Sequence, residues 1–433
     1  MKKKIKNIVS LMLISVMLLS VVPFFEISEC GMIAYAASNG TCGESLTWVL
    51  DNNGTLTVSG TGKMSDYANA EALPWYEKIQ DIKKVVVAEG VTSIGDFAFY
   101  TCSNLVDVEL PESLESIGMY AFGACGVLES IKIPSGVTYI GNLAFLECRK
   151  LFDVELPEGL TSLSHGTFSG CFALKEIELP KSLTSIGSSV FSGSKELAII
   201  DIPDSVTSIG RSAFERCAAL VSVEFPEALK SVDAYAFSNC SSLVAVNIPD
   251  GCSEIGTEAF SYCISLKSVN LPSKLTAVSM FSFSGCNALV TIDIPNGVTV
   301  IEDLAFSGCN ALETINIPVS VTAIKDFAFN NCPSLKNVLY GGNEAEWNNI
   351  TVGVNNDALI NASKQFGFSI VKGDVDMDGS ISSSDARLVL RASVNLETLS
   401  EKQISIADVD NDNSISSADA RLILRASVGL EKI

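Results

Sequence analysis

The chain has 433 residues and a formal net charge of −21, with 50 acidic side chains against 29 basic ones. Nucleic acids and anionic membranes bind basic surfaces, so this balance excludes both as partners and leaves cation binding open. A chain of this length holds two or three ordinary domains unless it is built from repeats.

Residues 1–36 are predicted to be a signal peptide. Four lysines precede an apolar run from Ile8 to Phe25, and Ala34-Tyr35-Ala36 has the small-residue pattern of a cleavage site. Because the run is also long enough to span a bilayer, an uncleaved membrane anchor is the alternative. Cleavage removes four lysines and two glutamates, leaves a net charge of −23, and leaves no second segment apolar enough to cross a membrane.

From Ile94 onward the sequence repeats every 23 residues without insertion or deletion. In all eleven repeats a phenylalanine follows the aliphatic position of Ile94 by five residues, and a leucine follows it by eleven. The phenylalanines are Phe99, Phe122, Phe145, Phe168, Phe191, Phe214, Phe237, Phe260, Phe283, Phe306 and Phe329. A fixed short period predicts a solenoid of eleven turns, in which each turn buries its apolar face against its neighbours.

Each repeat contains two short extended segments. The first, such as Leu128 to Pro134, alternates aliphatic and polar residues, which predicts a strand with one face in the core. Proline then ends the strand because it lacks the N–H that a β-ladder requires. The second segment, such as Val137 to Ile140, follows the proline, and the Ala-Phe pair with the next cysteine forms the return.

A cysteine recurs eight residues after the aliphatic position in ten of the eleven repeats, and Ser194 replaces it in the fifth. A disulfide or a metal ligand would not tolerate serine there, whereas a small buried group with a weak donor would. Cys252 likewise fills a position that is aliphatic in other repeats. The cysteines are therefore predicted to be buried and reduced, and so many free thiols on an exported protein favour an anaerobic source.

The repeated pattern Ile-Gly-x-x-Ala-Phe-x-x-Cys-x-x-Leu-x-x-Val-x-Ile-Pro resembles the BspA-like (Treponema pallidum-type) leucine-rich-repeat family. The resemblance implies a mainly β solenoid over residues 91–338, an N-terminal β cap over 38–90 and a C-terminal cap over 339–371. Caps are also expected on physical grounds, because an open solenoid end exposes its core and unpaired strand edges.

Two outward positions on the first strand of each repeat form a possible ligand face, acidic in the first repeats and rich in Asn, Ser and Thr in the later ones. The acidic members are Asp107, Glu109, Asp153, Glu155, Glu176 and Glu178. The alternatives are an ordinary solvated sheet face, or a glycosidase site in which two carboxylates flank the scissile bond. Since nothing distinguishes one pair from another along a shallow surface, a glycosidase is less favoured.

The only histidine, His165, occupies a variable position of the repeat and is expected to be exposed. No second histidine exists to build a catalytic triad or a histidine metal cluster around it. The sequence therefore predicts a protein that is not an enzyme.

After Gly373 the period ends, and two acidic loops follow 34 residues apart. Each places carboxylates at loop positions 1, 3, 5 and 12 and serines at 7 and 9, a spacing that supplies the six to eight oxygens calcium needs. The predicted ligands of two calcium ions are Asp374, Asp376, Asp378, Ser380, Ser382 and Asp385, then Asp408, Asp410, Asp412, Ser414, Ser416 and Asp419. Asn413 replaces glycine at position 6, which is tolerable because asparagine adopts the left-handed conformation.

Each loop runs into a nearly identical helix, and this duplication resembles a type I dockerin over residues 372–433. The resemblance implies calcium-dependent docking onto a cohesin domain of a scaffolding protein, as in cellulosomes. The cohesin-binding positions it implies are Ser383, Ser384, Leu390 and Arg391, then Ser417, Ala418, Leu424 and Arg425. Near-identity suggests that either half can face the partner, although Ala418 in place of a hydroxyl weakens this for the second. The alternative is a calcium-stabilised cap without a partner.

Together these features predict a secreted, non-catalytic binding protein of an anaerobic Gram-positive bacterium. Its dockerin would attach it to a scaffold, and its solenoid would bind a protein, a cell surface or a polysaccharide. The competing prediction is a polysaccharide-degrading component of the same assembly.

Overall fold

The computed structural model describes residues 38–367, 372–376, 381–399 and 401–432. The predicted signal peptide lies outside the described residues, as do Asp378 and Ser380 of the first acidic loop.

The described chain begins with an antiparallel sheet of β1 (Ser38–Thr41), β2 (Leu46–Leu50) and β3 (Thr55–Gly60). β4 (Gly62–Lys63), two 3-10 helices (Ala70–Ala72 and Tyr76–Asp81) and β5 (Lys84–Val87) follow. β3 pairs in parallel with β5, with Thr55 opposite Lys84. The coil therefore starts in this segment, with a longer turn than the 23 residues of the repeats.

The strands of the repeats are two to four residues long and come from the two extended segments. In chain order they are β6 (Val91–Ile94), β7 (Asp107–Glu109), β8 (Ser116–Ile117), β9 (Ser130–Lys132), β10 (Tyr139–Ile140), β11 (Asp153–Glu155), β12 (Ser162–Leu163), β13 (Ser185–Ile186), β14 (Ser208–Ile209), β15 (Ser231–Val232), β16 (Ala245–Asn247), β17 (Glu254–Ile255), β18 (Ser268–Asn270), β19 (Ala277–Val278), β20 (Thr291–Asp293), β21 (Val300–Ile301), β22 (Thr314–Ile317) and β23 (Ala323–Ile324). From β12 to β15 the second segment alone forms strands.

Parallel pairing joins residues 23 apart, as in Val154 opposite Ile131, so the sequence period is also the register of the sheets. The predicted solenoid is confirmed. In its middle, however, the first ladder is reduced to isolated bridges such as Asp201 with Glu224, and the segment containing Glu176 and Glu178 forms no regular strand.

The repeated phenylalanines form one buried column. Neighbouring rings from Phe99 to Phe329 stack with centroids 5.0–5.9 Å apart, and all eleven side chains are buried. Trp75, which no repeat predicted, extends the column at its start by stacking on Phe99 at 5.7 Å. Each ring from Phe99 to Phe306 thus has an aromatic neighbour on both sides. Removal of a buried phenylalanine typically costs about 3–5 kcal/mol.

The twelve cysteines among the described residues are free and buried, which confirms the prediction of reduced structural thiols. From Cys125 to Cys332, each thiol in the repeated position donates to the carbonyl of the phenylalanine 26 residues earlier, as Cys217 does to Phe191 at 3.2 Å. Ser194 makes the same bond to Phe168 at 3.3 Å, which explains why serine fits there. Burial raises the pKa of Cys148 and Cys263 to about 12, so these thiols stay protonated and unreactive.

Both ends of the coil are closed by side chains that replace a missing turn. Within the coil the N–H of each phenylalanine donates to a carbonyl of the next turn, as from Phe306 to Ala328. At the start, the Trp75 indole N–H donates instead to the Ala98 carbonyl at 3.1 Å. At the end, the buried amide oxygen of Asn356 accepts the N–H of Phe329 at 2.9 Å. Each replacement satisfies a backbone group that would otherwise be buried without a partner.

Asn356 is placed by a compact segment that continues both ladders after the last repeat. Its elements are β24 (Asn337–Tyr340), α1 (Glu344–Trp347), β25 (Thr351–Val352), α2 (Asp357–Asn361) and β26 (Ser363–Phe366). β25 pairs with β23 and β26 with β24, all in parallel. The coil therefore reaches beyond the eleven repeats at this end too.

The C-terminal module contains α3 (Ser383–Ser393), α4 (Glu401–Ala407) and α5 (Ser417–Ser427). Its own small core takes equivalent residues from the two halves, together with two residues of α4. They are Val375 and Val409, Ala386 and Ala420, Val389 and Ile423, and Ile406 and Ala407. The sequence duplication is thus a structural duplication, with α3 packed against α5.

Candidate calcium loops and binding surfaces

In the first acidic loop, carboxylate oxygens of Asp374, Asp376 and Asp385 lie within 4.8 Å of one another. Asp385, fully buried at the start of α3, accepts the N–H of Asp376 at 2.9 Å and the N–H of Ser382 at 2.8 Å. Because its two oxygens bind both ends of the loop, this side chain fixes the loop to the helix. The donor set is three hard oxygen anions, which is the chemistry that calcium prefers.

The second loop repeats this arrangement with Asp408, Asp410 and Asp419, again within 4.8 Å. Asp408 accepts the N–H of Asn413 at 3.1 Å, and Asn413 has a φ of +61°, the left-handed conformation expected of it. Asp419 accepts the N–H of Val409 at 2.9 Å and is fully buried. The two loops therefore have the same design, and both fit a calcium ion.

The charges in the second loop act on one another. Desolvation, followed by the negative charges of Asp419, Asp412 and Asp408, raises the pKa of Asp410. In contrast, the hydroxyl and N–H of Ser414 lower the pKa of Asp412. A cation among these oxygens would offset the repulsion, so the electrostatics as well as the geometry favour metal binding.

Ser382 and Ser416 have a structural role in addition to the predicted one. Each hydroxyl accepts a backbone N–H at the start of its helix, and each donates to the buried Asp385 or Asp419 at 3.0 or 3.1 Å. These are capping boxes, which stabilise the first turn of a helix. Their service as calcium ligands, like that of Ser414, stays a prediction.

Four of the eight predicted cohesin-binding residues line one groove between α3 and α5. Ser383 and Leu390 face Ser417 and Leu424 across a space of about 360 Å³, and the two leucines are 49% and 48% exposed. The others lie outside this groove. Arg391 and Arg425 pair with Glu397 and Glu431 at 3.3 and 3.2 Å, Ser384 bonds to Ser382, and Ala418 lies in the first turn of α5.

Arg387 and Arg421 also line the groove, although neither is among the predicted cohesin-binding residues. The signal was present, because both occupy the same position in the duplicated helix, one turn before the leucine. We name the surface formed by Ser383, Arg387, Leu390, Ser417, Arg421 and Leu424 the helix groove.

The acidic face of the solenoid is less uniform than its sequence indicates. Lys84 lies 2.7 Å from Asp107 and also contacts Glu109, and Lys132 lies 2.7 Å from Glu155, so these carboxylates have cationic partners. Asp153, Glu176 and Glu178 line a depression of about 840 Å³ together with Asp201, Phe152 and Ile199. Within the predicted ligand face, these three carboxylates are exposed and form no ion pair with a described lysine or arginine. His165 is exposed, as expected.

A family model of the BspA type leucine-rich repeat region matches residues 75–198, 189–310 and 231–350, in six copies. The chain belongs to this BspA-type family. A second family model, of the type I dockerin domain, matches residues 372–426. Both resemblances found in the sequence are therefore confirmed.

Several solved structures are similar to this chain. A leucine-rich repeat protein of Eubacterium ventriosum is 21% identical, covering 77% of this chain and 96% of its own, with a TM-score of 0.50. A leucine rich cell surface protein of Faecalibacterium prausnitzii is 27% identical, covering 73% and 97%, with a TM-score of 0.46. The leucine-rich repeat protein of T. pallidum is 27% identical, covering 52% and 90%, with a TM-score of 0.33. Comparison with curated proteins gave no match.

This BspA-type chain shows no helix with the length and hydropathy of a membrane span in the part that the structure describes.

Proposed function

We propose that this protein is a secreted, non-catalytic binding component that a cohesin-bearing scaffold recruits through the dockerin, in an assembly of the cellulosome type. The observation that carries the proposal is the match of residues 372–426 to a type I dockerin, since dockerins bind cohesins. The solenoid is then the cargo, and it presents binding surfaces to a protein, a cell surface or a polysaccharide.

The helix groove supports the docking half of this proposal. Leu390 and Leu424 are half-exposed in a chain of high net charge, and Arg387 and Arg421 lie beside them. Apolar centres flanked by arginine are common in protein interfaces. Because the two halves present the same residues, the groove offers a partner two equivalent orientations.

In this proposal, calcium supports docking by ordering the two loops. When bound, it supplies positive charge and coordination that hold the loop carboxylates together. Asp385 and Asp419 then fix each loop to the first turn of its helix, so that Ser383 and Ser417 are presented in a defined position. Docking should consequently depend on calcium.

The test is capture of the full chain by a panel of type I cohesins, with calcium or with EDTA. Leu390→Asp and Leu424→Asp should each leave binding within about threefold, because the other half remains, whereas the double variant should lose at least a hundredfold. Leu396→Asp is the control, since Leu396 is 68% exposed and does not line the groove. Full binding in EDTA, or by the double variant, would refute the docking proposal.

The non-catalytic half is tested on the accessible carboxylates. Plant polysaccharides incubated with the chain should show no turnover, and Glu176→Gln with Glu178→Gln should change nothing in that assay. Turnover that this one pair abolishes would establish the glycosidase alternative instead.

A further inference from the structure

The residue directly before the repeated cysteine position forms a row of side chains along the solenoid. This row is interrupted at two places, five turns apart, where the side chain is missing. Most turns carry a side chain at this position, but two consecutive turns carry glycine at Gly170 and Gly193, and again at Gly285 and Gly308. All four glycines have a φ between +73° and +77°. Each pair of glycines therefore leaves a gap two turns wide.

The first gap is filled by the protein itself. The ring of Phe172 lies 3.9 Å from where a side chain at Gly193 would begin, and it is held between two cations. Arg149 and Lys195 lie 5.7 and 4.9 Å from the ring centroid, within the range of cation–π attraction.

The second gap is open. At the position of Phe172 it carries Asn287, and at the position of Lys195 it carries Asn310. The result is a groove of about 720 Å³ along the coil, bounded at one end by Tyr262 and at the other by Asn331 and Asp357. We name this surface the amide groove.

The floor of the amide groove is an aromatic ring followed by bare backbone. Tyr262 is 54% exposed, and its ring covers Gly285, where any side chain would collide with it at 2.8 Å. Beyond it, Gly308 has only the Gly285 backbone nearby, at 3.6 Å. A flat ligand can therefore rest on the ring and continue over the glycine.

The walls of the amide groove are amides. Asn287, Asn310, Asn330, Asn331 and Asn355 line it, and Asp357 is the one charged residue among the lining side chains that the structure describes. Asn310 donates to Asn287 at 3.4 Å, so the two amides repeat along the coil axis with the ladder spacing of about 4.8 Å.

This lining selects a class of ligand. An amide both donates and accepts hydrogen bonds, as a hydroxyl does, and a tyrosine ring packs against an apolar ring face. Among the described residues that line the groove there is no lysine or arginine to bind an anion, and a chain of net charge −21 repels polyanions. We propose that the amide groove binds a neutral polysaccharide, with successive sugar units lying along the coil over Tyr262 and Gly308.

This inference gives a ligand class to the solenoid half of the proposed function, and it does not depend on cohesin docking. The full chain is run in affinity electrophoresis through gels that contain a β-glucan, a xylan, a galactomannan or polygalacturonate, and cohesin capture is measured on the same samples. We expect at least one of the three neutral polysaccharides to retard the chain, and polygalacturonate to leave it unretarded.

Two variants and a matched control locate the binding. Tyr262→Ala should weaken retention at least tenfold, and Gly308→Asn at least fivefold, since its side chain would occupy the groove. Asn239 and Asn331 show that asparagine fits this backbone position, so Gly308→Asn should fold normally. Gly193→Asn makes the same change in the filled gap and should leave retention unchanged. Cohesin capture should be unaffected in all three.

The proposal is overturned if no neutral polysaccharide retards the chain, if polygalacturonate alone does, or if Tyr262→Ala and Gly308→Asn are retained like the parent. Any of these results with intact cohesin capture refutes the amide groove and leaves the docking proposal standing. Loss of cohesin capture in the parent chain with retention intact refutes docking alone.

Discussion

The solenoid and the C-terminal module are both built from repeated sequence, but different forces hold them together. The solenoid buries a continuous aromatic column and a column of thiols, and its turns bond to one another at every step. The described part of the module buries eight apolar residues and places six carboxylates in two tight clusters. Repetition of an apolar turn produces a structure that stabilises itself, whereas we propose that the repeated acidic loop makes the module depend on a bound ion.

Removal of calcium by a chelator should show the difference in stability between the module and the solenoid most clearly. Without calcium, the carboxylates of Asp374, Asp376 and Asp385 repel one another, and the small core cannot offset the repulsion. We expect amide protection in α3 and α5 to be lost completely in EDTA, while protection around the phenylalanine column is unchanged. Hydrogen exchange measured by mass spectrometry separates the two regions.

Asp419→Ala should produce the same loss in calcium-containing buffer, beginning in α5. Equal protection of both helices with and without EDTA would mean that the module, like the solenoid, is stable without an ion.

Alkaline pH should destabilise the solenoid. Burial raises the pKa of Cys332 to about 11 and of Cys148 to about 12, while an unfolded thiol has a pKa near 9.0. Above pH 9 the unfolded chain releases thiol protons that the folded chain retains, so stability is full below this pH and falls as pH rises. Each buried thiol contributes about 1.4 kcal/mol of loss per pH unit in this window.

Denaturant unfolding of the solenoid signal at pH 8.0 and at pH 10.0, with reductant present, measures this effect. A variant with Cys217, Cys240 and Cys263 changed to serine should have a shallower pH dependence. An unchanged dependence would show that the thiols do not cause it.

The smallest expected effect comes from a single position of the thiol column. Cys217→Ser should cost under about 1 kcal/mol, because Ser194 already makes the equivalent bond in the preceding turn. Cys217→Leu should cost about 1–3 kcal/mol, since the site is fully buried and has no room for a larger side chain. Urea midpoints of the two variants give the comparison, and a serine variant as unstable as the leucine variant would contradict the packing role.

The interior of the solenoid could be predicted because its rule is local and repeated: a position that packs in one turn packs in every turn. The two ends were predicted only as caps, without the side chains that close them. Trp75 and Asn356 replace a missing turn through single side-chain bonds, and the turns that carry them are longer than 23 residues, so no period marks them.

The binding surfaces, too, could be predicted from the sequence only in part. The acidic pairs are alike in sequence, yet Lys84 and Lys132 come from neighbouring turns and bind only some of them. In the module, loop spacing was enough to predict the carboxylate clusters. The helix groove was predicted only in part, because Arg387 and Arg421 reach it through the packing of α3 on α5.

The constant register of the repeats allows their number to change during evolution. Because every internal turn presents the same ring, the same backbone groups and a thiol or the equivalent hydroxyl of Ser194 to its neighbours, removal or duplication of one whole repeat would rejoin edges that already match. Trp75 and Asn356 would still close the two ends. Unequal recombination between repeats of the gene can therefore change the length of the coil in whole turns, and with it the number and placement of surface grooves, without altering the C-terminal module.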